Sequence, residues 1–271
     1  MGSIKNGWEL IKYSTNVFTR YPLTALPLLL TWVLYAATVL YFQYSFDWKA
    51  LDLQQSLLVA LGIIFFFTLL LSFSAMTLLE LIQQAESGRE MSLTAAMAEA
   101  ATFDLIPALP ILVVWTAVWF VLSLISALLS RRKRGSSSSE DKLSAENAAR
   151  TLAGANTRFS FSAAFFRALN KGVRMTVFLI LPAIAWQDLG PWEAAKRGLR
   201  VLRLNFVTFM TGYTLSEAAG LIVFLPPALV MYASSKGHIK LPDWAWYCTI
   251  SYIALAWSYV IYLEQMFTAS L

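Results

Sequence analysis

Six long apolar segments limit what this chain can fold into. A helix needs about 20 residues to cross the hydrocarbon core of a bilayer, and five of the segments reach that length. They are rich in Leu and Ala and do not alternate between polar and apolar residues, which favours helices over membrane strands. The sequence therefore predicts an all-α, polytopic helical membrane protein. The approximate segments are residues 23–42, 57–81, 105–129, 175–186, 206–233 and 244–267.

Composition agrees with this class. The 271 residues are 58% hydrophobic and only 14% charged, whereas a soluble domain carries about a quarter charged residues. A chain of this length has room for one integral membrane domain, residues 1–271, and no separate soluble one. The net charge of +5 lies beside apolar segments and lacks an RNA-binding motif. We therefore expect anionic lipid headgroups as partners and no nucleic acid.

A block of basic residues constrains the threading of the chain through a membrane. Ten of the 21 Lys and Arg residues lie in residues 131–174, and basic loops tend to remain in the cytoplasm. If all six segments cross, eight basic residues share the side of the N-terminus and thirteen lie opposite. If the third and fourth segments re-enter instead, eighteen share one side and three lie opposite.

This count favours four full crossings plus two broken or re-entrant segments, with residues 131–160 as a polar cytoplasmic loop. Six full crossings are the alternative. Proline removes a backbone donor and disfavours a continuous helix, and prolines lie in the third, fourth and fifth segments. The predicted helix-break positions are Pro107, Pro110, Pro182 and Pro226.

Two trios of basic residues share one spacing, at positions i, i+4 and i+7. This spacing puts each trio on one face of a helix, and such amphipathic helices lie at the headgroup level with their cations toward anionic lipid. We interpret both helices as topology anchors and their cations as candidate anionic-lipid contacts. The six residues are Arg167, Lys171, Arg174, Lys196, Arg200 and Arg203.

Glu217 is the candidate intramembrane polar site. An ionised carboxylate inside a membrane segment is costly, so it pairs with a cation, faces a cavity or takes part in ion movement. The alternative is a helix that begins near residue 215, in which Glu217 is a first-turn acid. Glu80 and Glu264 lie near segment ends and are expected at the interface.

Enzyme chemistry has little support in the sequence. His238 and Cys248 are the only residues of their kinds and cannot form the usual zinc clusters. No Gly-rich phosphate loop and no D-x-D pair is present. We therefore predict no enzymatic activity, no catalytic or metal-binding residues and no cofactor.

The stretch LPAIAWQDLGPWEAAKRGLRVLRLNF resembles a signature of poorly characterised bacterial multi-pass membrane proteins. They are related to the membrane domain fused to some glycerophosphodiester phosphodiesterases. The opening GWELIKYSTNVFTRYPLTALPLLL is similar to their N-termini, while Gly198 stands where that pattern often has Ala or Ser. The resemblance implies an architecture, and no catalytic residue carries over.

Two functions are compatible with these observations. The first is a non-enzymatic protein of the bacterial cytoplasmic (inner) membrane that forms a pathway or pocket for an ion, a small solute or a lipid. The alternative is an accessory or scaffold subunit of a larger membrane complex, and a homo-oligomer also stays open.

Overall fold

The computed structural model describes residues 12, 14–131, 161–236, 239 and 241–271, without the side chains of residues 49, 127–131 and 161–167. Predictions about residues 132–160, the Arg167 side chain and His238 lie outside this part of the chain. The described residues contain no strand. They form eight named helices: α1 (Leu26–Leu40), α2 (Leu53–Glu86), α3 (Leu93–Glu99), α4 (Leu105–Arg131), α5 (Phe161–Ala185), α6 (Pro191–Leu204), α7 (Phe206–Ser235) and α8 (Asp243–Ala269).

Six helical stretches are long and apolar enough to cross a membrane, which confirms the predicted all-α polytopic class. They coincide with the six apolar segments of the sequence. The fourth segment reaches spanning length because α5 begins well before it. The turns that α5 adds to the segment contain charged residues. The stretches are Pro22–Ser45, Leu53–Glu86, Leu93–Ser126, Ala168–Ala185, Phe206–Ser235 and Asp243–Ala269.

Local sequence explains where helices begin. Asp52 caps α2: its carboxylate accepts from the Gln55 backbone N–H at 2.7 Å, and the Gln55 side chain accepts from the Asp52 backbone N–H at 3.2 Å. This reciprocal pair satisfies two backbone donors that the first turn leaves free. Ser92 caps α3 in a similar way, by accepting from the Ala95 backbone N–H. Pro191 begins α6, where a missing N–H has no cost.

The prediction that four prolines break their helices is wrong. Pro107 and Pro110 lie within α4, Pro182 lies within α5 and Pro226 lies within α7, and each helix continues past them. An interior proline removes one hydrogen bond, and packing against neighbouring helices preserves the rest of the helix. Irregular helical backbone occurs instead in two five-residue π-helical turns, Tyr41–Ser45 after α1 and Ala100–Asp104 directly before α4.

Helix α2 runs antiparallel to both α1 and α4. Thr31 of α1 donates to the Leu70 carbonyl of α2, and Tyr35 of α1 donates to the Phe67 carbonyl. Later residues of α1 therefore contact earlier residues of α2. The hydroxyls of Thr68 in α2 and of Thr116 in α4 are 2.7 Å apart.

The unbroken helix α4 changes the predicted threading. Its 27 residues extend about 40 Å, which exceeds the roughly 30 Å hydrocarbon core. Thr68 of α2 faces Thr116 of α4, and Glu80 of α2 lies near Asp104, directly before α4. Helix α4 is therefore antiparallel to α2, and its last residue, Arg131, lies at the end of the bundle where α2 begins. The arrangement matches six full crossings rather than a re-entrant third segment. The cytoplasmic side of residues 131–160 stays a prediction.

One main core holds the bundle together. It contains buried side chains from most helices, among them Leu28, Leu79, Leu112, Phe178 and Tyr262. Close packing of such side chains fixes the helix positions, and van der Waals contact drives helix association inside a membrane.

Two glycines permit close helix contacts within this packing. A Cβ at Gly198 of α6 would stand 2.6 Å from the Ile180 Cγ1 atom and 3.3 Å from the Ile180 Cα atom. A Cβ at Gly212 of α7 would overlap the ring of Phe267 in α8. The absence of a side chain at Gly198 therefore brings α6 directly against α5.

Candidate functional site: an ion-pair cluster and an apolar groove

Four charged side chains from three helices form one cluster. The Lys171 amine of α5 donates to the Glu217 carboxylate of α7 at 2.6 Å and lies 3.5 Å from the Glu264 carboxylate of α8. Arg174 of α5 binds Glu264 with two nitrogens, at 2.9 Å from Nε and 2.7 Å from the terminal nitrogen. Two cations and two carboxylates therefore neutralise one another where α5, α7 and α8 meet.

Burial differs strongly across this cluster. The Glu264 side chain is 1% exposed and that of Lys171 is 9% exposed, whereas Arg174 is 24% and Glu217 is 57% exposed. Removing a carboxylate from water is costly unless good hydrogen bonds and opposite charges replace the water. Glu264 receives both from Arg174 and Lys171, so it is the buried centre of the cluster. Glu217 lies at its accessible edge.

The structure corrects the expected roles of two basic residues. Lys171 and Arg174 were predicted to contact anionic headgroups, but their charged ends bind carboxylates between helices. The amine of Lys171 also lies 4.7 Å from the centre of the Tyr213 ring, a favourable cation–π distance. The apolar stretch of α5 tolerates these cations because other helices supply the counter-charges.

The acids also differ from their expected settings. Glu217 is the twelfth residue of α7, so the alternative of a first-turn acid is wrong. Of its expected settings the structure shows a cationic partner, which is Lys171. Glu264, expected at the interface, is the most deeply buried member of the cluster. Sequence reasoning missed its role. The sequence did contain a signal for this role, because acids are scarce in the two helices. Glu217 is the only acid in α7, and α8 has only Glu264 besides its first residue, Asp243.

An apolar groove of about 690 Å³ lies beside the cluster. Four helices line it, and Tyr213 and Gly172 bring it close to Lys171. Its lining contains almost no polar surface. The residues that define it include Pro110, Val114 and Val118 of α4, Leu169, Gly172 and Val173 of α5, Trp192, Ala195 and Leu199 of α6, and Phe209, Met210 and Tyr213 of α7.

Helix α6 has three distinct faces. One face, with Ala194 and Gly198, is buried. A second face lines the groove, through Trp192, Ala195 and Leu199. On the exposed surface are four cations, Lys196, Arg197, Arg200 and Arg203. The predicted trio on α6 therefore lies on the outside of the protein. Its contact with anionic lipid stays a prediction.

A second polar cluster lies at the end of the bundle where α2 ends and α4 begins. Glu80 and Asp104 are both 3% exposed, and Glu99 and Asp188 lie within electrostatic range. One Asp104 carboxylate oxygen has no hydrogen-bond partner among the residues that the structure describes. Over the same residues, no group of three or more His, Cys, Asp or Glu side chains has an arrangement able to hold a metal ion.

The fold and the ion-pair cluster define a class: a multi-pass helical membrane protein with paired charges between α5, α7 and α8. Comparisons with protein-family models, with curated proteins and with solved structures find no match. The resemblance to bacterial multi-pass proteins therefore stays a prediction.

Proposed function

We propose that this chain is a non-enzymatic protein of the bacterial inner membrane that binds the hydrocarbon chain of a membrane lipid in the groove between α4, α5, α6 and α7. The observation that carries the proposal is the groove itself, with its volume of about 690 Å³ and its apolar lining. This volume lies within the range of roughly 300–1,000 Å³ that small-molecule sites occupy. An apolar lining favours hydrocarbon over an ion or a polar solute.

The ion-pair cluster supports a lipid pocket over an ion pathway. Its two cations and two carboxylates neutralise one another, and the most buried acid, Glu264, is bound by both Lys171 and Arg174. An ion that moved through this cluster would have to displace strong charge-assisted bonds. The cluster is better suited to hold α5, α7 and α8 together beside the groove.

Filling the groove tests the proposal. Gly172 lines the groove, and a Cβ atom there has no neighbour within 4 Å. The Gly172→Phe side chain is expected to occupy space that the lipid chain uses. Gly62→Phe is the matched control, because Gly62 in α2 also has no neighbour within 4 Å and lies outside the groove.

The readout is the amount of lipid that remains with the protein after purification in a mild detergent, measured by extraction and mass spectrometry. We expect the wild type and Gly62→Phe to retain about one lipid per chain, and Gly172→Phe to lose most of it. Equal retention by the two variants, both of them monodisperse, would contradict the proposal.

A further inference from the structure

Two surfaces of α6 lie side by side. A helix turns about 100° per residue, so the groove-lining residues Trp192, Ala195 and Leu199 form one stripe. Lys196, Arg200 and Arg203 form a second stripe about a quarter turn away. Arg197 falls on the other side of the helix, about half a turn from the groove stripe. A molecule in the groove can therefore reach the trio but not Arg197.

Among the residues that the structure describes, the trio has no counter-charge. No described carboxylate lies within ion-pair distance of Lys196, Arg200 or Arg203, whereas Lys171 and Arg174 are bound to glutamates. All three side chains are exposed. The first and last of the trio are separated by about 10 Å along the helix, and each is free to bind an external anion.

We infer that the lipid in the groove has an anionic phosphate headgroup, which the stripe Lys196, Arg200 and Arg203 binds. This inference rests on the proposed function, because it assigns the headgroup of the molecule whose hydrocarbon occupies the groove. The guanidinium groups of the two arginines match phosphate oxygens with two parallel hydrogen bonds, and Lys196 adds a point charge. Trp192, 71% exposed, lies on the side of the groove stripe nearest the trio, where an amphipathic ring borders both hydrocarbon and headgroup.

The experiment compares two lipids with identical acyl chains. Delipidated protein in detergent is titrated with phosphatidylglycerol or with phosphatidylcholine, and bound lipid is counted by native mass spectrometry. We expect the wild type to prefer phosphatidylglycerol by roughly 10- to 100-fold, from about a five-fold effect per cation near an anionic headgroup. The triple variant Lys196→Gln, Arg200→Gln, Arg203→Gln should bind both lipids equally.

Two further variants keep the test specific. Arg197→Gln should retain the wild-type preference, because its side chain points away from the groove stripe. The variant Lys196→Arg, Arg200→Lys, Arg203→Lys keeps three cations but loses the two guanidinium groups, so its preference for phosphatidylglycerol should lie between those of the wild type and the triple Gln variant. A loss of preference in Arg197→Gln equal to that of the triple variant would overturn the assignment, since it would indicate a general charge effect.

The remaining outcomes separate the two proposals. Equal binding of both lipids by the wild type would overturn the headgroup inference and leave the groove proposal intact. Binding of neither lipid by the wild type would overturn both. Inorganic phosphate is added in a separate titration. If it binds at the trio with the affinity of phosphatidylglycerol, the site recognises free phosphate, and the lipid assignment fails.

Discussion

At the scale of single residues, Glu264 and Glu217 show how burial separates two acids of one cluster. Both bind cations of α5, but Glu264 is enclosed and binds Arg174 with both carboxylate oxygens. Glu217 is more than half exposed, and among the described cations it contacts only Lys171. Loss of Glu264 leaves Arg174 without its carboxylate partner at the buried centre of the cluster, whereas loss of Glu217 leaves Lys171 still 3.5 Å from Glu264.

We therefore predict that Glu264→Gln lowers the free energy of unfolding by about 3–5 kcal/mol and that Glu217→Gln lowers it by less, because Glu264 still compensates the charge of Lys171. Unfolding of the purified protein in mixed micelles, followed by circular dichroism, measures both. The double variant Arg174→Glu, Glu264→Arg exchanges the two partners and should recover part of the stability that Glu264→Gln loses. Equal destabilisation by the two Gln variants would be inconsistent with this account.

The sequence indicated part of this cluster. Glu217 stands out because it interrupts a long apolar stretch, and a cationic partner was among its expected settings. The pairing with Lys171 was not predictable, since it depends on how α5 and α7 lie against each other. Glu264 was assigned to the interface from its distance to the segment end, and only packing of α8 against α5 buries it.

At the scale of helices, glycine positions determine how closely neighbours approach. In α7, Gly212 lies against the Phe267 ring, whereas a Cβ at Gly220 would meet the Val260 side chain at an ordinary 3.8 Å. The two glycines share one helix and one neighbour, α8, and differ in available space. The sequence alone does not distinguish Gly212 from Gly220, because neither glycine lies in a predicted turn or helix cap.

Gly212→Ala is expected to lower the free energy of unfolding by about 1–3 kcal/mol, because the added methyl group forces the helices or the Phe267 ring to move. Gly220→Ala should be neutral or stabilising by up to about 1 kcal/mol, since alanine favours helix. Thermal unfolding of both variants in the same detergent provides the comparison. The account would be wrong if Gly220→Ala were the more destabilised of the two.

At the scale of the whole molecule, segment number and helical class were predictable because hydrophobic length is a property of the sequence itself. Threading was not. Counting charges favoured two re-entrant segments, but the count treated Lys171 and Arg174 as loop charges. Both lie inside α5 and are neutralised by Glu217 and Glu264, so they give no information about the side of the loop. The prolines were equally misleading, since packed neighbours let α4 and α5 continue past them.

Six full crossings predict that the loop after α4 shares a side with the loops at Lys49 and Lys236. Single cysteines at Ser137, Lys49 and Lys236 in a Cys248→Ser background should all be labelled from the same side of intact cells or inverted vesicles. Under the re-entrant alternative, Ser137 lies opposite the other two. Labelling of Ser137 from the opposite side would therefore contradict the end-to-end path of α4 through the membrane.

The central claim is that the groove between α4, α5, α6 and α7 holds a lipid chain, and photocrosslinking of a retained lipid tests it most directly. Cells are fed a fatty acid with a diazirine in its chain, the protein is purified in mild detergent, and light is applied only after loosely bound lipid has been removed. We predict adducts on groove residues such as Val114, Leu169 and Leu199. Adducts confined to the exposed outer residues Leu221 and Ile222 of α7 would contradict the claim.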